Sequence, residues 1–246
     1  LVNIGIDEQI DDLQYKGLKI IQKKTGFRFG IDAVLLANFC QVPKDGQVMD
    51  LGTGTGIIPI LLAGKTQASR IIGVEIQEDM ADTAKRSVLL NNLEEKVEIL
   101  AMDIKECPSY FKGRHFDVIT SNPPYITAGG GIVNPSDAKA IARHEIMCNL
   151  EDVIRVSAAL LKPGGNLFMV NRPQRLVDAV YLMRKYGIEP KIMRFVHPYA
   201  GKKPNLVLIR ASRGGNPQLK VIEPLYVYES PGVYTDEILE IYGKSR

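Results

Sequence analysis

The residues best equipped for chemistry stand together at Ser121-Asn122-Pro123-Pro124-Tyr125. They follow Phe116-Asp117-Val118-Ile119-Thr120, in which Val118 and Ile119 read as a buried strand. Two prolines in succession stop that strand, because proline lacks the amide hydrogen and fixes φ. The stop leaves the Asn122 carboxamide, the Pro123 carbonyl and the Tyr125 ring side by side. Such groups can hold a planar, amino-bearing molecule by its edge and its face. The same residues also make an ordinary turn, so the rest of the chain must separate the two readings.

A second group is Asp50-Leu51-Gly52-Thr53-Gly54-Thr55-Gly56, where a strand turns into a helix. Glycines there allow close backbone approach to a ligand, and a helix start offers amide hydrogens and a positive dipole end to an anionic group. The dinucleotide fingerprint wants glycine at its first, third and sixth positions, whereas here Ile57 takes the sixth. Glu75 closes Ile71-Ile72-Gly73-Val74-Glu75, ahead of Ile76, about 20 residues beyond the glycine turn, where an acid accepts both ribose hydroxyls. Asp103 ends a third apolar run. Its carboxylate can meet an adenine amino group while Met102 or Ile104 lines the ring, or it can cap a helix over Ile104 to Cys107.

Positioning these groups calls for βα units around a parallel sheet, since short apolar runs alternate with amphipathic stretches after Gly46. Strands are expected near 47–51, 70–75, 97–101, 116–120, 165–170, 190–196 and 205–211. Helices are expected near 57–65, 78–91, 149–161, 173–186 and 235–242, and an earlier one over 33–40 capped by Asp32. Glycine turn, Glu75, Asp103 and Asn122 to Tyr125 then fall at the carboxyl ends of successive strands, the edge where open α/β sheets bind ligands. Residues 13–26 read as a short strand or helix with a basic face, and the segment from Ile126 to about Glu145 as a lid or binding loop. The tail from Leu219 to Tyr234 is expected to form an extra hairpin or an arm over the sheet.

That order of motifs resembles the S-adenosylmethionine-dependent class I methyltransferases of the amino-methylating branch, over roughly residues 27–212. Phe27 to Ala37, Ala142-Arg143-His144-Glu145 and the tail around Pro224 to Thr235 are similar to the bacterial enzymes that methylate N6 of the adenine beside the anticodon of valine tRNA. The resemblance implies a Rossmann-like, seven-stranded, mostly parallel sheet with helices on both faces. It divides the chain into an extension and cap over 1–40, a methyltransferase domain over 41–213 and an arm over 214–246. It implies S-adenosyl-L-methionine held by Asp50, Gly52, Thr53, Gly54, Gly56, Glu75, Ile76, Met102, Asp103, Ile104 and Asn122. Catalysis is assigned to Asn122, Pro123, Pro124 and Tyr125, and substrate contact to Arg28, Phe29, Asp32 and Tyr125.

Two other classes share parts of this pattern. Glutamine-N5 methyltransferases of release factors use the same motif on another planar amino group, but carry a helical domain before the glycine turn, where this chain has 49 residues ahead of Asp50. A dinucleotide-dependent oxidoreductase or a non-catalytic cofactor-binding module fits the glycine turn alone.

A net charge of +3 means that nucleic-acid affinity must come from a local basic face, for which Lys191, Arg194, Lys202, Lys203, Arg210, Arg213 and the early lysines are the candidates. Cys40, Cys107 and Cys148 are far apart, and His115, His144 and His197 show no metal-ligand spacing, so reduced cytoplasmic thiols and no metal are expected. No apolar run reaches membrane-span length. The partner implied is tRNA, with no membrane and no obligate protein partner.

Overall fold

Apolar pairs on a period of two explain both the strands and the two layers that cover them. The computed structural model of the chain describes residues 2–24, 30–123 and 149–244. A hairpin of β1 (Glu8–Asp12) and β2 (Lys19–Lys23) precedes α1 (Ile31–Phe39). The alternating region follows as β3 (Gln47–Leu51), α2 (Ile57–Lys65), β4 (Arg70–Glu75), α3 (Glu78–Leu90) and β5 (Val97–Ala101). After a 3-10 turn at Ile104–Glu106 come α4 (Cys107–Tyr110), β6 (Phe116–Ser121), α5 (Leu150–Leu160) and β7 (Leu161–Asn171). Next stand α6 (Leu176–Lys185), β8 (Ile188–His197) and β9 (Leu206–Arg213). The tail supplies β10 (Lys220–Val221), β11 (Leu225–Tyr226), a hairpin of β12 (Tyr228–Ser230) and β13 (Val233–Tyr234), and α7 (Asp236–Ile241).

The nine-stranded sheet runs β10-β8-β9-β7-β6-β3-β4-β5, with β11 also on β8. Only β9 is antiparallel to its neighbours, β7 and β8. The seven expected strands are all present, and β10 and β11 extend the sheet on the outer side of β8. Adjacent residues feed opposite layers. Val48, Ile71, Val118 and Phe168 pack with α1, α2 and α3, while Met49, Ile72, Ile119 and Met169 pack with α4, α5 and α6.

Several local expectations are corrected. Helix α1 begins at Ile31 with Gly30 as N-cap and no side-chain cap bond. Asp32 therefore lies inside the first turn, its Oδ1 accepting from the Ala33 N–H at 3.0 Å. Between the helix expected near 149–161 and the strand expected near 165–170, Lys162-Pro163-Gly164-Gly165 forms a bulge within β7: Phe116 opposes Leu161 and Val118 opposes Asn166, leaving Asp117 across from the extra residues. Lys162 Nζ holds the Asp117 carboxylate there at 2.9 Å.

Within the segment 13–26, the described residues as far as Lys24 hold β2, whose Ile20 and Ile21 are buried while Lys19 and Lys23 stay exposed at its ends. The hairpin is fastened to α3. Arg86 binds both Glu8 oxygens at 2.6 Å, and the Ile21 N–H donates to Ser87 Oγ at 3.0 Å. The Arg86 guanidinium holds the Glu8 carboxyl down at about 2. At the other end of the chain, Ile238 and Ile241 of α7 bury into the layer that contains α1.

Candidate functional site

Strands β6, β3, β4 and β5 lie side by side, so the four sequence motifs share one edge spanning about 15 Å at ordinary strand spacing. Gly52, Gly54 and Gly56 all adopt left-handed backbone, at φ of 74°, 57° and 86°. Their purposes differ. A Cβ on Gly52 would meet nothing within 4 Å, which leaves its face open, whereas one on Gly56 would sit 3.2 Å from the Ala84 methyl. Gly56 thus serves the packing of the turn on α3.

The turn is not the anion cradle that its glycines suggest. The N–H groups of Gly52 and Thr53 both donate to the Val74 carbonyl at 2.9 Å, Gly56 N–H donates to Thr53 at 3.0 Å, and Gly54 N–H donates to Glu75 Oε2 at 2.9 Å. Pro59 removes one more donor from the first turn of α2. A dinucleotide pyrophosphate needs those hydrogens. A zwitterionic ligand that only requires close approach does not.

Glu75 is buried at 3% exposure, and its Oε1 accepts from the Gln77 N–H at 3.0 Å. Two backbone donors therefore hold this carboxylate in place and offset its desolvation, leaving its remaining lone pairs for a ligand. Ile76 next to it is half-buried. Asp50 lies beneath the turn with no exposure, and its Oδ1 accepts from Thr120 Oγ1 at 2.6 Å, tying β3 to β6. Its Oδ2 and Thr53 Oγ1 both lack a hydrogen-bond partner among the described residues. Burial pushes the Asp50 carboxyl up to about 6 against the pull of the Thr120 hydroxyl. The Thr53 hydroxyl falls short of bonding geometry, though its dipole also favours the ionised form, while the Glu75 charge opposes it.

At the end of β5, Met102 is half-buried and its N–H donates to the Glu75 carbonyl at 3.0 Å. Asp103 caps the following 3-10 turn: Oδ1 accepts from the Lys105 N–H at 2.9 Å and Oδ2 pairs with Lys105 Nζ at 3.1 Å. Ile104 is buried in the core. At the end of β6, Ser121 Oγ donates to the Leu51 carbonyl at 2.9 Å, which draws the start of the Asn-Pro motif against the glycine turn. Asn122 and Pro123 follow, half-buried. Pro124, Tyr125, Arg28 and Phe29 lie outside the described residues, as does the segment read as a lid.

Sequence reading passed over Asn171 and Arg172. Ser121 pairs with Met169, so these two sit beside Asn122 and Pro123 at the end of β7. Asn171 is buried and its Oδ1 accepts from the Arg172 N–H at 2.8 Å. The signal was available: Val170-Asn171-Arg172-Pro173 repeats the strand, asparagine and proline stop of the first motif.

The basic group expected to form one face is divided. Arg194 binds Glu237 and the Glu223 carbonyl, Lys191 binds the Asn216 carbonyl, Arg210 reaches Gln41 and Arg213 reaches the Leu161 carbonyl. Of the six between 191 and 213, Lys202 and Lys203, in the turn after β8, are the two at the carboxyl edge. An apolar depression of about 700 Å³ lined by Leu176, Val180, Tyr181 and Leu219 lies on α6, away from all the motifs. Among the described residues no group of three or more His, Cys, Asp or Glu side chains is placed to hold a metal, and no helix is long and apolar enough to cross a membrane. Cys40 and Cys107 are free and buried, and Cys148 lies outside the described residues.

A family model for the methyltransferase small domain matches residues 29–187. The chain belongs to that family. Within it, the methyltransferase is 30% identical over 236 residues to a Tolumonas auensis protein named tRNA1(Val) (adenine(37)-N6)-methyltransferase, covering 92% of this chain and 93% of that protein. A Pedobacter heparinus protein of the same name is 27% identical over 223 residues, covering 91% and 92%. The resemblance read from the motifs is borne out by these relatives. Among solved structures, a predicted O-methyltransferase, Atu636 of Agrobacterium tumefaciens, superposes with a TM-score of 0.70 at 22% identity, covering 87% of this chain and 98% of that one. The T. thermophilus 16S rRNA N2 G1207 methyltransferase, solved with AdoMet and guanosine, gives 0.60 at 20% identity, covering 85% and 51%. Both share the fold of this methyltransferase.

Proposed function

We propose that this methyltransferase transfers a methyl group from S-adenosyl-L-methionine to N6 of the adenine at position 37, beside the anticodon of valine tRNA. The placement of Asn122 and Pro123 carries the reading. They directly follow β6, next to the glycine turn of β3, so an amino-group clamp and a cofactor turn stand one strand apart. Asn122 Oδ1 and the Pro123 carbonyl accept the two N6 hydrogens, which turns the nitrogen lone pair out of the ring and toward the donor. Tyr125 stacks on the base, worth about 1–3 kcal/mol in such sites. The cofactor supplies an already activated methyl on a sulfonium. Positioning and electrostatics therefore suffice, and no strong general base is needed.

The cofactor residues follow the same edge. Gly52, Thr53 and Gly54 admit close approach, Glu75 takes the ribose hydroxyls on its free lone pairs, and Ile76, Met102 and Ile104 flank the adenine whose amino group meets Asp103. Asp50 and Gly56 hold the turn from below and behind. Arg28, Phe29 and Asp32 close over cofactor and base. The adenine must be splayed from the anticodon loop to enter. A tRNA enzyme of this kind works in the cytoplasm.

Total tRNA incubated with labelled cofactor and analysed by nucleoside mass spectrometry tests the reading, with N6-methyladenosine at position 37 of valine tRNA as the expected product. Asn122→Ala still binds cofactor but lowers turnover about 10²-fold or more, as removal of a positioned transition-state partner does. Undiminished tRNA methylation by that variant refutes the assignment.

A further inference from the structure

The carboxyl edge continues beyond the motifs. Past β6 the sheet runs β7, β9, β8, so at about 4.8 Å per strand the turn joining β8 to β9 stands roughly 10–15 Å from Asn122. Residues 171–175 and 197–205 contain Arg172, Arg175, Lys202 and Lys203 and no carboxylate. Arg172 and Arg175 have partners of their own, so the cations these segments leave to solvent are Lys202 and Lys203.

Three contacts tie the turn down. His197 Nδ1 donates to the Lys202 carbonyl at 2.6 Å, the His197 ring packs on Tyr226 at 5.4 Å, and Arg172 Nη1 donates to the Asn205 carbonyl at 3.1 Å. Arg172 thus ties the strand beside the amino clamp to the far side of the turn. Arg175 is drawn aside by Asp178 at 3.2 Å. Lys202 and Lys203 are exposed, and among the described residues their ammonium groups meet no carboxylate. They differ in this from Arg194, whose guanidinium is bound by Glu237.

We propose that Lys202 and Lys203 grip the RNA phosphates flanking the target adenine, on a turn that Arg172 and His197 fix in register with the clamp. The proposal rests on the RNA-methylating reading above. A splayed base draws its flanking backbone onto the rim of the pocket, and a pair of unpaired ammonium groups on that rim gains affinity by releasing counterions. A protein substrate would not require them.

The test compares wild type, Lys202→Ala/Lys203→Ala and a control, Lys44→Ala/Lys112→Ala, whose exposed lysines lie before β3 and β6 at the opposite edge. Steady-state methylation of valine tRNA, salt-dependent tRNA binding and cofactor titration are measured for each. The Lys202/Lys203 variant is expected to raise KM for tRNA roughly tenfold at about 0.1 M salt and to flatten the slope of log Kd against log salt by roughly 1.5, with kcat and cofactor affinity unchanged. The control should match wild type. A wild type that methylates tRNA together with a variant of unchanged KM and slope overturns the proposal and leaves the reading intact, as does a variant whose loss falls on kcat alone. A wild type that fails to methylate any tRNA overturns both.

Discussion

Replacing Glu75 with glutamine separates a ligand-binding carboxylate from a structural one. Each Glu75 oxygen accepts one backbone N–H, from Gly54 at 2.9 Å and from Gln77 at 3.0 Å. An amide has a single acceptor oxygen, so whichever way it is turned its NH₂ faces one of those donors. A buried N–H left without its acceptor costs about 1–3 kcal/mol. For a chain of this size that lowers the melting temperature by roughly 2–4 °C per kcal/mol.

The ribose contacts add a second loss. Hydrogen bonds to a charged acceptor are worth about 1.5–3 kcal/mol against about 0.5–1.5 for neutral ones, so two ribose hydroxyls lose about 2–3 kcal/mol together. That corresponds to a 30- to 150-fold weaker cofactor at 1.4 kcal/mol per decade. Isothermal titration with S-adenosylmethionine well below the melting temperature reads the second loss, and thermal unfolding without cofactor reads the first. A variant that melts early yet binds cofactor within about twofold of wild type refutes the ribose role and leaves Glu75 a brace for the turn.

Asp50 governs a pH dependence of opposite sign to that of a salt-bridged acid. Its folded value of about 6 lies above its ordinary 3.8, so the folded state binds the extra proton between those limits. This contribution is fully present below about pH 4 and is lost as pH rises toward 6, amounting to about 3 kcal/mol. Urea unfolding of Asp50→Asn should lack that decline between pH 4 and 6, and an identical slope in wild type and variant contradicts it. Gly56→Ala forces a left-handed residue at φ 86° and sets its Cβ 3.2 Å from Ala84. A loss of about 1–3 kcal/mol is expected in chemical denaturation; a variant as stable as wild type removes the strain argument.

Local chemistry is legible in a sequence where it depends on few neighbours. The prolines after Asn122 end a strand wherever they occur, glycines at 52, 54 and 56 mark left-handed turn positions, and short continuous apolar runs mark buried strands whichever partners they find. Those properties belong to the backbone and to single side chains, so the seven main strands, the edge that carries the motifs and the methyltransferase family were readable before any coordinates. Asp103 shows the limit, because capping Lys105 and meeting a ligand use the same residue type at the same place.

What tertiary structure decided was every question of who else is near. The order β6-β3-β4-β5 joins strands distant in sequence and so places the amino clamp beside the glycine turn. Glu75 and Val74 claim the N–H groups of that turn, which removes the anion cradle that its glycines imply. The basic residues between 191 and 213 look continuous along the chain, yet strand reversal between β8 and β9 sends them to opposite edges, and folded neighbours bind all but Lys202 and Lys203. Partnership across a sheet depends on register and crossover. Neither is encoded within the segment that carries the residue.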